Sequence, residues 1–215
     1  MKKIVVVNAG PRKNWNTDLM LKEAARGAEE AGAQIQFFDL YRLERFTGCI
    51  SCFACKLAPN HGKCMVRDGL TPVLDAIREA DGLIIGSPNY LGEPTAVFRC
   101  LYERLIFQNL TYEKERRTYV NYDCPVLMIM TSNVSADRYE EIGYTAMLET
   151  LRQRFSVFVG PAEVLTAGNT MQVDDYSRYT WTGFDPEQKK LSRKEQFPKD
   201  LEQAFLAGKA LVSEH

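Results

Sequence analysis

Histidine is scarce in this 215-residue chain, which has only His61 and His215. A Ser-His-Asp triad or a multi-histidine metal centre has too little to draw on. An excess of one charge is missing too, with 27 basic residues against 28 acidic ones. Without a basic block there is no footprint for nucleic acid, and without an acidic tail there is none for a basic partner. No apolar run is long enough to span a bilayer, and the opening stretch "MKKIVVVNAG" is too short in apolar residues for a secretory signal core. The expectation is a cytoplasmic protein with neither nucleic acid nor membrane as partner. The glycine spacings of a dinucleotide fingerprint or a phosphate P-loop are also absent.

What is present is ordinary globular composition, 45% apolar and 26% charged. Short β-branched runs alternate with amphipathic stretches. "KIVVVNA", "QIQFFDL", "GLIIGS", "PVLMIMTS" and "AEVLTAG" read as strands. Between and after them, "TDLMLKEAARGAEEAGA", "TPVLDAIREA", "PTAVFRCLYERLIFQ", "DRYEEIGYTAMLETLRQRF" and "FPKDLEQAFLAGKALV" read as helices. Asn16 or Thr17 caps the first, Thr71 the second, and Pro94 opens the third. This alternation predicts an α/β fold in which helices cover both faces of a parallel sheet. Five strands fit the flavodoxin-like doubly wound order 2-1-3-4-5. With no repeat or linker, residues 1–215 are expected to form one domain. Its insertions are a cysteine-rich loop at 39–70 and a C-terminal aromatic arm at 169–197, which precedes the final helix. The arm holds Tyr176, Tyr179, Trp181 and Phe184, suited either to a second subunit, to a lid, or to covering the chain's own sheet.

In open α/β sheets ligands bind beyond the carboxyl ends of the strands, near the switch between strands 1 and 3. Three loops leave those ends: "NAGPRKNWNT", "GSPNYLGEPT" and "TSNVSADR". In the first, Gly10 permits close backbone approach and Arg12 offers a guanidinium. Asn14, Asn16 and Thr17 add polar side chains at a helix N-terminus. The set suits a phosphate, or simply a polar turn. In the second, Pro88 and Pro94 stiffen the turn that Gly92 allows, and Tyr90 can lie on a planar ring or on the core.

Four of six cysteines fall in "CISCFACKLAPNHGKC", as C-x2-C-x2-C-x8-C through Cys49, Cys52, Cys55 and Cys64. Three readings stay open: a [4Fe–4S] cluster, zinc, or free redox-active thiols. Lys56 and Lys63 favour thiolate in each. His61 reads as a solvated loop residue, and Cys100 and Cys124 as small buried hydrophobes.

Taken together, "NAGPRKNWNTDLM", "GCISCFACK…GKC", "DGLIIGSPNYLGEPTAVFRCLYER" and "MTSN" resemble the NADPH-dependent FMN reductase family, near its iron–sulfur flavoprotein branch. The resemblance implies FMN as cofactor and NAD(P)H as co-substrate. Gly10, Arg12, Asn14, Asn16 and Thr17 would hold the phosphate. Pro88, Asn89, Tyr90, Leu91 and Gly92 would line the isoalloxazine, with Ser132 and Asn133 closing its other side. Two positions depart from the family, which usually has serine at Gly10 and glycine at Trp15. The final cysteine gap is also longer than the branch generally shows. The expected function is electron transfer from NAD(P)H through FMN to a quinone, nitro compound, flavin or redox-protein acceptor, in a homodimer or homotetramer. The alternative is a one-electron carrier linking a [4Fe–4S] cluster, FMN and a protein partner.

Overall fold

The structure is a computed structural model that describes residues 1–120 and 123–213; His215 lies outside the described residues. Five parallel strands run β1 (Lys3–Asn8), β2 (Gln34–Asp39), β3 (Gly82–Tyr90), β5 (Val126–Thr131) and β6 (Ala162–Ala167), with a two-residue β4 (Glu93–Pro94) paired antiparallel to β3. Their spatial order is β2-β1-β3-β5-β6. The five expected strands thus occupy the expected order. β3 runs on through Pro88–Asn89–Tyr90 and turns back into β4, so part of the expected second loop is a small hairpin.

Alternation along the strands divides the core in two. Val5, Val7, Leu83, Ile85 and Met128 face α2 (Thr71–Arg78), α3 (Ala96–Asn109) and α4 (Tyr144–Phe158). Ile4, Val6, Ile84, Leu127 and Ile129 face α1 (Asn16–Glu30) and α6 (Phe197–Ser213). The central strands are buried on both faces, which is why they read as unbroken apolar runs. α1 and α6 pack closely through glycines: a Cβ on Gly208 would strike the Ala24 carbonyl, and one on Gly27 the Phe205 carbonyl.

Several helix starts differ from expectation. Trp15 is the N-cap of α1 and gives no side-chain capping bond, while Asn16 and Thr17 lie inside the helix. Leu70 precedes α2, and Asp68 serves the turn by accepting from the Leu70 amide at 3.0 Å. Thr95, not Pro94, caps α3 by accepting from the Phe98 amide at 3.4 Å. α4 begins only at Tyr144, after Gly143 takes a left-handed conformation that ends a set of turns. The span 169–197 contains a further helix, α5 (Pro186–Glu195), capped by the Asp185 side chain, which accepts from the Glu187 amide at 2.9 Å.

Candidate functional site

The loop after β1 is shaped by Asp18, buried in the first turn of α1. Its carboxylate accepts from the Asn14 amide at 2.7 Å and from Asn8 Nδ2 at 3.2 Å, and pairs with Lys22 at 2.7 Å. Asn8 Oδ1 in turn accepts the Gly10 amide at 2.8 Å. A Cβ at Gly10 would lie 3.1 Å from Asn8 Oδ1 and 3.2 Å from Thr17 Cβ, so the turn leaves little room there for the family's serine. Asn14 takes φ of 53°, and its Oδ1 accepts from Lys22 at 2.7 Å.

The loops after β3 and β5 close on the first. Thr95 Oγ1 donates to the Ala9 carbonyl at 2.8 Å, and the Thr95 amide donates to Ser87 Oγ at 3.0 Å. Thr17 and Thr131 hydroxyls meet at 2.8 Å. Ser132 turns its hydroxyl inward, to the Val134 carbonyl at 2.6 Å and the Tyr139 hydroxyl at 2.7 Å. Gly10, Arg12, Asn16, Thr17, Pro88, Asn89, Tyr90, Ser132 and Asn133 therefore line one cavity of about 90 Å³. Asn14, Leu91 and Gly92 are not among its lining. Asn89 Oδ1 accepts the Gly92 amide at 3.0 Å, fixing the turn, while Asn89 Nδ2 is buried without a partner. Leu91 is fully exposed at φ of 57°.

The arm supplies what sequence reading missed. Thr170, Met171 and Gln172 complete the cavity wall. The Met171 carbonyl accepts from Asn16 Nδ2 at 2.7 Å and from Trp15 Nε1 at 3.2 Å, and the Gln172 carbonyl accepts from Arg12. Arg12 also lies 4.6 Å over the Trp15 ring, and burial lowers its guanidinium from the ordinary range. From α5, Arg193 donates to Asn16 Oδ1 at 3.0 Å, and buried Lys189 donates to the Asn133 carbonyl. Trp15 thus packs on the chain's own arm. Tyr176 is buried and donates to Gln172 Oε1 at 2.6 Å, while Tyr179 stacks on Trp181 at 4.3 Å between ring centres.

Cys49, Cys52, Cys55 and Cys64 surround a second, smaller cavity of about 20 Å³. Among the described residues, no three side chains of His, Cys, Asp or Glu are drawn together as a metal ion requires. One face of α3 holds this loop. Arg104 Nη1 contacts both Asp68 oxygens at 2.6 and 2.7 Å, and Nη2 donates to the Val66 carbonyl at 2.9 Å. Gln108 Oε1 accepts the Cys64 amide at 2.9 Å, and Glu103 accepts the Cys49 amide at 3.3 Å. Lys56 reaches the last carbonyls of α3, Phe107, Gln108 at 3.3 Å and Leu110 at 2.6 Å, as a cation suits a helix C-terminus. Burial nevertheless pushes the Cys55 thiol up, outweighing Lys56. Lys56 itself acts on this thiol in the expected thiolate-favouring direction. Two donors on the wall have no acceptor, Arg104 Nε and Gln108 Nε2. Leaving a buried donor unpaired costs about 1–3 kcal/mol. The signal that exposes them in sequence is their place on α3: Arg104 and Gln108 share the i, i+4 stripe of Leu101 and Leu105. His61 is exposed and stacks on Tyr119 at 5.1 Å, and Cys124 is fully buried, its thiol pushed by burial up to about 12.

The sequence profile of the family described as NADPH-dependent FMN reductase matches residues 2–166. An iron–sulfur flavoprotein of Methanocaldococcus jannaschii is 35% identical over 102 residues, covering 47% of this chain and 51% of that protein. Another from Clostridioides difficile is 30% identical over 125 residues, covering 56% and 54%. The chain spans about half the length of the curated relatives it matches. The fold resembles an NAD(P)H:quinone oxidoreductase from Methanothermobacter marburgensis, with TM-score 0.71 and 16% identity over 100% of this chain and 98% of that one. An azoreductase from Bacillus anthracis gives TM-score 0.69 and 15% identity over 97% and 99%. Likeness at that identity speaks to fold.

Proposed function

This chain belongs to the NADPH-dependent FMN reductase family, and from that premise we propose that it is an FMN-dependent NAD(P)H oxidoreductase. Its acceptor is a quinone, nitro compound, flavin or redox protein. The observation that carries this reading is the convergence of three strand-end loops on one cavity whose wall holds the unpartnered donor of Asn89. Buried donors in native proteins have partners, so an unpartnered one marks where a ligand acceptor belongs. The set is right for FMN: backbone and side-chain donors at a helix N-terminus for a phosphate, and a stiff Pro-Asn-Tyr turn for a planar ring.

Gly10, Arg12, Asn16 and Thr17 hold the phosphate in this reading. Pro88, Asn89 and Tyr90 line the ring, with Ser132 and Asn133 opposite. When bound, FMN would supply the two-electron chemistry between NAD(P)H and the acceptor. The chain's own part is positional. Asn89 offers an amide proton to a ring heteroatom, and Asp18 holds the phosphate loop in shape. Tyr90, half exposed, covers one side of the ring without sealing it from a nicotinamide. No side-chain base is required for hydride arrival, which agrees with a site that has no acid–base pair. The protein acts in the cytoplasm as a homodimer or homotetramer, its exposed Leu91, Ile50 and Phe53 suited to subunit contact; light scattering that returns the mass of one chain would remove this part.

A second reading has its own support: four cysteines around one cavity with two orphaned donors. Here Cys49, Cys52, Cys55 and Cys64 hold a [4Fe–4S] cluster, and the protein passes single electrons between cluster, FMN and a protein partner. Four thiols on one wall are the donor type such a cluster takes.

Anaerobic purification decides between these readings, with flavin, iron and acid-labile sulfide measured and spectra taken before and after NADH or NADPH. We expect one FMN per chain, bleached by NAD(P)H. Flavin that neither nucleotide bleaches sinks the reductase reading. Iron and sulfide near zero after reconstitution sink the second.

A further inference from the structure

Among the described residues, three buried side-chain donors lack a partner: Asn89 Nδ2, Arg104 Nε and Gln108 Nε2. The first belongs to the flavin cavity. The other two share the wall of the cysteine cavity, and both are almost wholly buried.

Neither is a loose side chain that could turn elsewhere. Arg104 is fixed by its Nη atoms, which hold Asp68 and the Val66 carbonyl, so its Nε–H direction follows from the plane of the guanidinium. Gln108 is fixed by the Cys64 amide bound to its Oε1, so its Nε2 must point the other way. Both groups rise from one side of α3, a turn apart. The rest of the wall is sulfur and hydrocarbon, with Phe53, Phe107 and Val66 beside the four thiols. The side-chain acceptors this cavity provides are sulfur atoms, or a sulfur-bearing group held among them.

We propose that Arg104 Nε–H and Gln108 Nε2–H are preset hydrogen-bond donors to the sulfurs of an iron–sulfur cluster held by Cys49, Cys52, Cys55 and Cys64, and that they raise its reduction potential. The inference rests on the second reading above. Its physics is direct. Donors aimed at sulfur draw off negative charge, and the reduced cluster carries one more negative charge than the oxidised one. The reduced form gains more, so the potential rises. This assigns the α3 stripe a task that folding alone does not require: two polar side chains replace apolar ones at core positions, each with one end unused by the protein.

Gln108→Glu is the discriminating variant, because it keeps an oxygen for the Cys64 amide and replaces the donor by an acceptor. Gln108→Met removes both. Full-length wild type and both variants are reconstituted anaerobically with iron and sulfide. Metal and sulfide content are measured, and the cluster's midpoint potential is read by EPR-monitored titration. The expected result is a loaded cluster in all three, with the potential lower in Gln108→Met than in wild type and lowest in Gln108→Glu. Loaded variants with an unchanged or higher potential overturn this inference and leave the cluster reading standing. Wild type that takes up no iron and sulfide, or holds zinc in their place, overturns the cluster reading itself. Should neither variant fold, wild type labelled with ¹⁵N at its glutamine side chains decides. A glutamine ¹⁵N coupling in the pulsed EPR spectrum of the reduced cluster supports the donor, and its absence overturns it.

Discussion

Arg12 illustrates how one side chain serves the empty and the loaded site. Its guanidinium rests on Trp15 and a carbonyl of the arm, yet it borders the cavity assigned to the phosphate. Charge-assisted bonds contribute about 1.5–3 kcal/mol each. Arg12→Gln should therefore raise the FMN dissociation constant on the order of 10- to 100-fold, with the melting temperature nearly unchanged; fluorescence titration with FMN measures the first. Lys189 makes a prediction of another kind. It is buried beside Asn133 and Phe184, and burial lowers its amine to about 8. The folded state thus binds this proton less tightly than the unfolded chain, whose lysine titrates near 10.4. The penalty is fully present below pH 8 and is relieved as pH rises toward 10.4, so this residue's contribution improves with pH. Relief is on the order of 3 kcal/mol. Denaturant melts of wild type and Lys189→Met should diverge in that sense between pH 8 and 10, wild type gaining. Parallel curves would refute it.

At the scale of elements, α1 against α6 is the tightest fit in the fold. Backbone meets backbone where Gly27 and Gly208 lack a Cβ. Gly208→Ala must push the helices apart, and overpacking of this kind costs about 1–3 kcal/mol, more than alanine's better helix propensity returns. Thermal unfolding should show a clear drop, and no drop would mean the helices slide freely. The five strands and most helices were legible because each carries its own period: apolar runs for buried strands, spaced stripes for helices. α5 was not. Its sequence, "PEQKKLSRKE", has one leucine and no stripe, so periodicity passes over it. Its start was still written in local chemistry, as Asp185 before Pro186 and Glu187. Residues 137–143 failed in the opposite way, carrying helical composition but folding as the end of a short 3-10 helix and then turns up to Gly143. The three strand-end loops of the site could be located from topology alone. The arm's share could not, because Arg12 meets Gln172, and Asn16 meets Met171 and Arg193, across most of the chain. No local pattern encodes such a meeting.

For the whole molecule, the arm sets how the site opens. A cavity of about 90 Å³ is well below the roughly 300 Å³ that ligand pockets begin at. In the proposed site, FMN entry would part Met171 and Gln172 from Trp15, Asn16 and Arg12. Hydrogen exchange measured with and without FMN should change across residues 168–178 and at the start of α1, while β1 and β5 stay as they were. Exchange in 168–178 that ignores FMN would mean the ligand enters elsewhere. α3 adds a constraint between the two cavities. Thr95, at its start, is tied to Ala9 and Ser87 beside the flavin loops, and Arg104, further along, is tied to the cysteine loop. The helical rise puts about 14 Å between those two anchor points. That makes α3 a ruler. Whatever loops on either side do, the gap between the two cavities is graduated in whole peptide units, and a single residue inserted in α3 between Thr95 and Arg104 would both lengthen it and swing Arg104 about 100° away from the sulfurs.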